Sequence, residues 1–152
     1  MNAITSEAIA AMEVVPGFGY RIGSVGNRAI PVGNLSEWQV DALKTISSFE
    51  AFPAGWDSYA SPSIPFDVIN LAIDLVRNIS IDNMPRPRIV PVSGGGIQLE
   101  WEKGSRELEL EVHPNLSVEL LQSEGGVPLH DEPAYLASNA ELRRRLSWVD
   151  AG

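Results

Sequence analysis

Ile97-Gln-Leu-Glu-Trp-Glu-Lys-Gly-Ser-Arg-Glu-Leu-Glu-Leu-Glu-Val112 alternates apolar and polar residues on both sides of one Gly-containing break. Period-two alternation marks half-buried β-strands, so the stretch predicts an antiparallel pair, Ile97–Glu102 and Arg106–Val112. Ile97, Leu99 and Trp101 then share a face with Leu108, Leu110 and Val112, while Gln98, Glu100 and Glu102 share the other with Glu107, Glu109 and Glu111. A two-residue Lys103-Gly104 turn sets Leu99 opposite Leu108, Ile97 opposite Leu110 and Glu100 opposite Glu107. Parity keeps Glu facing Glu even if the turn is longer. Arg106 shares the parity of Trp101 and is expected to stack on it across the turn.

The same alternation extends outward to Arg88–Val92 and Leu116–Leu120, joined through Gly94-Gly95-Gly96 and His113-Pro114-Asn115. This makes a four-stranded antiparallel meander. A three-residue turn at His113 pairs Leu110 with Val118 and brings Glu119 opposite Glu109, so a sixth carboxylate joins the same face. Like charges directly opposite on adjacent strands cost a few tenths to about 1 kcal/mol per pair, a cost that folding alone does not demand.

Upstream, Ser36-Glu-Trp-Gln39 is a capping-box pattern opening a helix over 36–50, with Val40, Leu43, Ile46 and Phe49 inward. Pro65 suits the first position of a second helix that ends near Ser80, with Val68, Ile69, Ala72, Leu75, Val76 and Ile79 on one face. Ser138-Asn-Ala-Glu141 repeats the capping pattern before Leu142, Leu146 and Val149. Phe18–Val25 and Arg28–Val32 flank Gly26-Asn27 as a hairpin, and residues 5–15 read as a short helix or a frayed arm. Residues 124–137 read as a loop. The fold class is therefore α+β: an N-terminal β-hairpin, two central helices packed on the four-stranded antiparallel meander, and a C-terminal helix. A length of 152 residues suits a single domain, 1–152.

Between Ile97 and Glu132 lie nine acids and two bases, which places most of the chain's net charge of −9 in one region. That balance disfavours direct contact with nucleic acid or with an anionic membrane. The absence of cysteine excludes disulfides, thiolate zinc sites, iron–sulfur clusters and cysteine nucleophiles. No apolar run reaches the roughly 18 residues a membrane span requires, and no secretory signal pattern is present, so the expected location is cytoplasmic.

Phe52–Pro65 is a long connection between the central helices and carries Gly55-Trp-Asp-Ser-Tyr59. Trp56 and Tyr59 are expected to fold back on the core, with Asp57 capping a turn. The alternative is a binding or catalytic loop. Gly55-Trp56-Asp57-Ser58-Tyr59, Gly95-Gly96-Ile97-Gln98-Leu99-Glu100-Trp101 and Leu108-Glu109-Leu110-Glu111-Val112 together resemble a group of small, largely uncharacterised bacterial and phage-associated proteins. These share a Gly-Trp-Asp-x-Tyr loop and a Gly-Gly-Ile-x-Leu-Glu-Trp strand. The resemblance covers roughly residues 50–120. It implies an independent domain and a place among mobile-element, toxin–antitoxin or defence genes, and it carries no activity with it.

Enzyme signatures are weak. His113 reads as a solvated turn residue and His130 as a loop residue, and there is no P-loop or nucleophile elbow. Gly17-Phe-Gly19-Tyr-Arg-Ile-Gly23 misses the dinucleotide fingerprint by one residue. Arg143-Arg144-Arg145 reads as a solvated cluster at a helix end. No cofactor or metal is expected, since a pleated face spreads carboxylates too widely to converge on a cation. The expected function is non-catalytic: an acidic inhibitor, or an antitoxin- or immunity-like partner, of a basic protein surface. The expected contact residues are Glu100, Glu102, Glu107, Glu109, Glu111 and Glu119, with Trp56, Asp57 and Tyr59. The alternatives are a phage-type anti-defence DNA mimic and a small enzyme using the Trp56-Asp57-Ser58-Tyr59 loop.

Overall fold

The computed structural model describes residues 12–15, 19–22, 35–79, 81 and 84–152. Among the described residues, three α-helices and antiparallel β-sheet make an α+β fold. Strand β1 (Met12–Val15) pairs with β2 (Gly19–Ile22). The expected helix is thus overturned at its end: Met12–Val15 is extended, which suits the β-branched Val14 and Val15. Residues 5–11 and the expected strand at 28–32 lie outside the described residues.

Helix α1 (Glu37–Ser48) begins at the expected capping box. The Gln39 side-chain oxygen accepts from the Ser36 backbone N–H at 2.9 Å. Its buried face is Trp38, Gln39, Ala42 and Ile46, with Phe49 in the short 3-10 turn that follows, while Val40 is only half-buried. Gln39 is inward because its amide nitrogen donates to Val76 O at 2.8 Å and Ile79 O at 2.9 Å. A polar residue thereby adds a donor to carbonyls at and just beyond the C-terminal end of the next helix. That helix, α2 (Phe66–Arg77), has Pro65 as its N-cap and starts one residue later than the sequence suggests. Val68, Ile69, Ala72, Leu75, Val76 and Ile79 are all buried, as the spacing predicts.

The larger sheet has the order β3 (Arg88–Val92), β4 (Gly96–Lys103), β5 (Arg106–Val112), β6 (Val118–Glu124), β7 (Val127–Pro128), with β8 (Ala134–Tyr135) also on β6. The β4–β5 turn is Gly104-Ser105, so Lys103 pairs with Arg106, Leu99 with Leu110 and Ile97 with Val112. The expected Leu99–Leu108 register is therefore shifted by two residues. Gly104, with φ +60°, supplies the left-handed conformation that a two-residue hairpin turn requires at its first position.

The β5–β6 connection, unlike the β4–β5 turn, is longer than expected. His113 N donates to Ser117 O and Leu116 N donates to His113 O, closing a five-residue loop in which Leu116 has φ +67°. Strand β6 consequently starts at Val118, not Leu116, and runs on to Glu124. Residues 124–137 are not wholly loop. Strands β7 and β8 pair with β6, and the Leu129 and Leu136 amides donate to Gln122 O and Val118 O, so this segment covers the outer edge of β6.

Helix α3 (Asn139–Asp150) has Ser138 as N-cap, accepting from Glu141 N, and buries Leu142, Leu146 and Val149. These residues share one core with α1, α2 and the inner faces of β4, β5 and β6. Arg106 lies over the Trp148 ring at 5.0 Å and donates to Trp148 O. Trp101 is fully buried, so the expected stacking partner is replaced by one that α3 brings to the exposed end of the hairpin.

Candidate functional site

The outer face of β4, β5 and β6 carries all six expected carboxylates. Glu100 is directly opposite Glu109, Glu102 opposite Glu107, and Glu111 opposite both Gln98 and Glu119. The shifted registers thus exchange partners without dispersing the charge: Glu109 opposes Leu121, and Glu119 opposes Glu111, not Glu109. Glu102 is exposed, whereas Glu100, Glu107, Glu109, Glu111 and Glu119 are half-buried.

Compensation on this face is uneven. Arg88 reaches Glu100 at 3.2 Å from the edge strand. The Gln98 amide donates to Glu100 at 3.0 Å and to Glu109 at 3.3 Å. Among the described residues no cationic side chain pairs with Glu102, Glu107 or Glu109. Burial holds the Glu109 carboxyl above its ordinary value, and repulsion from Glu100, Glu107 and Glu111 adds to it.

Glu109, Glu111 and Glu119 line a small depression of about 80 Å³ with Gln98, Leu121 and Pro133. Two of these carboxylates also face His113, which is half-buried, with Nδ1 3.4 Å from Glu111 and Nε2 3.1 Å from Glu119. His113 is therefore not a solvated turn residue: its loop folds the ring back between two carboxylates of adjacent strands. On the other side lies Tyr135, whose phenol pKa is pushed up by its interaction with the Glu119 carboxylate. Tyr135 is otherwise 67% exposed and lies opposite Glu119 on the same face. The alternation of the strands locates the carboxylates. The contributions of Leu121, Pro133 and Tyr135 depend on the covering segment, whose only sequence signal is Gly125-Gly126.

The Gly-Trp-Asp loop is built differently. Asp57 Oδ1 accepts from the Tyr59 and Ser61 amides, and Oδ2 accepts from the Ser61 and Ser93 hydroxyls, each at 2.6 Å. The Ser61 hydroxyl in turn accepts from Gly94 N at 2.8 Å, so one carboxylate ties the loop to the β3–β4 turn. The Ser61 and Ser93 hydroxyls, followed by the backbone amides, hold Asp57 at about 2. A carboxylate so weakly basic, with its oxygens already occupied, is a poor general base and is no acid near neutral pH.

Trp56 is half-buried, stacks at 5.4 Å on Phe52 and donates to Pro62 O. Tyr59 points outward, 83% exposed, contrary to the expectation that it folds back with Trp56. Its neighbour Ala60 has φ +57°, and this left-handed residue lies between the two Asp57-bonded amides and accompanies the outward turn of the Tyr side chain.

His130 is exposed. Arg145 pairs with Glu141 at 2.7 Å and donates to Gln122 at 2.6 Å, so it is half-buried, not solvated, while Arg143 and Arg144 are exposed. Among the described residues no group of three or more His, Cys, Asp or Glu is arranged to hold a metal ion, and no helix is long and apolar enough to cross a membrane. No family model, curated protein or solved structure matches the chain.

Proposed function

We propose that the protein is a non-catalytic binding module, an inhibitor or antitoxin-like partner, that docks a basic protein surface on the outer face of β4, β5 and β6. The observation that carries this reading is the patch of directly opposed carboxylates, all but Glu102 half-buried, in which Glu102, Glu107 and Glu109 lack a cationic partner among the described residues. Such a face is less stable than a neutral one, and an incoming Lys or Arg relieves the repulsion. The carboxylates form a patch over three adjacent strands, not a single strip. That supports a protein surface over a phosphate-mimicking role. The Asp57 network supports a structural role for the Gly-Trp-Asp loop over a catalytic one, while Tyr59 is an accessible aromatic for the same partner.

The test is capture from native lysate at low salt, identification of what elutes as salt rises from about 0.1 M to about 1 M, and reconstitution with the purified partner. The triple variant Glu100→Gln, Glu107→Gln, Glu109→Gln is expected to weaken that purified complex by about tenfold or more and to flatten its salt dependence. Equal affinity of the wild type and the triple variant across salt would rule the acidic face out.

A further inference from the structure

We infer that His113 is an internal, proton-dependent competitor for the carboxylates of the acidic depression. The inference rests on the docking reading above and concerns how that face is regulated. Glu111 and Glu119 are a directly opposed like-charged pair on β5 and β6. The His113 ring lies against both, Nδ1 toward Glu111 Oε1 at 3.4 Å and Nε2 toward Glu119 Oε2 at 3.1 Å. Nε2 is shielded from solvent yet is not aligned for a hydrogen bond.

A neutral imidazole carries a single N–H, so it offers a hydrogen to one of these carboxylates and a lone pair to the other. Only the imidazolium can donate to both. Proton uptake therefore turns the ring into a cationic bridge across the opposed pair, and among the described residues no second cation pairs with Glu111 or Glu119. Tyr135 on β8 is the cross-strand neighbour of Glu119, and Glu109 on β5 lines the depression beside them. A Lys or Arg of a docking partner that reaches the depression draws on the same Glu111 and Glu119 charge. Bound partner and bound proton therefore oppose each other, so affinity for a cationic ligand falls as His113 charges.

The experiment measures binding of a hexa-arginine peptide to the full chain and to His113→Gln, from about pH 8 to about pH 5. Carboxyl signals of Glu111 and Glu119 are followed by NMR over the same range. The wild type is expected to lose about tenfold in affinity toward the acidic end, in excess of any loss in His113→Gln, with both carboxyl signals moving together with the His113 ring signals. The exposed His130 serves as the internal reference. Parallel pH profiles for the two proteins overturn the competition while leaving the docking reading intact. Absence of peptide binding at every pH removes the docking reading; carboxyl signals that then follow His113 support the bridge, and signals that ignore it overturn the bridge as well.

Discussion

The two faces of one sheet follow opposite rules. On the inner face of β4 and β5, Ile97, Leu99, Trp101, Leu108, Leu110 and Val112 are all buried, and their cross-strand partners are apolar. On the outer face, one residue out of step along the same strands, Glu opposes Glu. The backbone hydrogen bonds serve both faces equally. The contrast teaches that the inner face is set by the need to remove apolar surface from water, while the outer face is free of that demand. A sequence that nevertheless concentrates carboxylates there accepts an electrostatic cost.

The contrast can be broken most strongly from the inside. Leu110→Ala is expected to destabilise the fold by roughly 3 kcal/mol, since it removes a buried side chain from a core with no slack on either strand. Denaturant unfolding measures it, and a change under about 1 kcal/mol would show that the inner face is loosely packed.

A smaller effect is expected at Asp74, a carboxyl on the buried face of α2. Burial raises it from 3.8 to about 6, against a smaller opposing contribution from Arg77. The folded state therefore favours the protonated form. Stability is fullest below the unfolded value and declines as pH rises through about 6. Asp74→Asn should accordingly stabilise the protein by on the order of 2 kcal/mol at about pH 8 and by little at about pH 4. A pH-independent difference between the two proteins would show that Asp74 does not titrate in this way.

The smallest effect belongs to the outer face. Glu109→Gln removes repulsion from Glu100, Glu107 and Glu111 and is expected to stabilise by a few tenths to about 1 kcal/mol near neutral pH. The sign follows from the raised proton affinity of Glu109: its penalty is absent below the ordinary carboxyl range and grows as pH rises through the folded value. The gain should vanish in acid and shrink in high salt. If Glu109→Gln destabilises at neutral pH, the carboxylate is making a contact the fold requires, and the two faces are less different than their burial suggests. Together with the salt-dependent binding of the Glu→Gln triple variant, this separates stability from recognition on the same surface.

Much of this contrast is legible in the residues themselves. Period two assigns Leu99 and Glu100 to opposite faces whatever the turn does, and a two-residue slip conserves that assignment, which is why the expected carboxylates remain together although both registers move. Helical spacing likewise identifies the buried face of α2, and Ser138 and Glu141 mark the start of α3. Pattern reading goes astray where contacts distant in sequence decide. Gln39 looks solvent-facing until Val76 and Ile79 supply acceptors. Tyr59 looks like a core aromatic until Asp57 fixes the neighbouring backbone, and His113 looks solvated until its loop closes on Ser117.

The sequence by itself determined which residues belong to which face, because side-chain direction along a strand or helix is a local consequence of backbone geometry. Only the tertiary structure decided which carboxylates stand opposite one another, that His113 lies between Glu111 and Glu119, and that residues 125–136 fold along β6 beside them. Those facts depend on loop closure and on polar groups finding partners far along the chain. Such choices differ by little free energy and leave no periodic trace in the sequence.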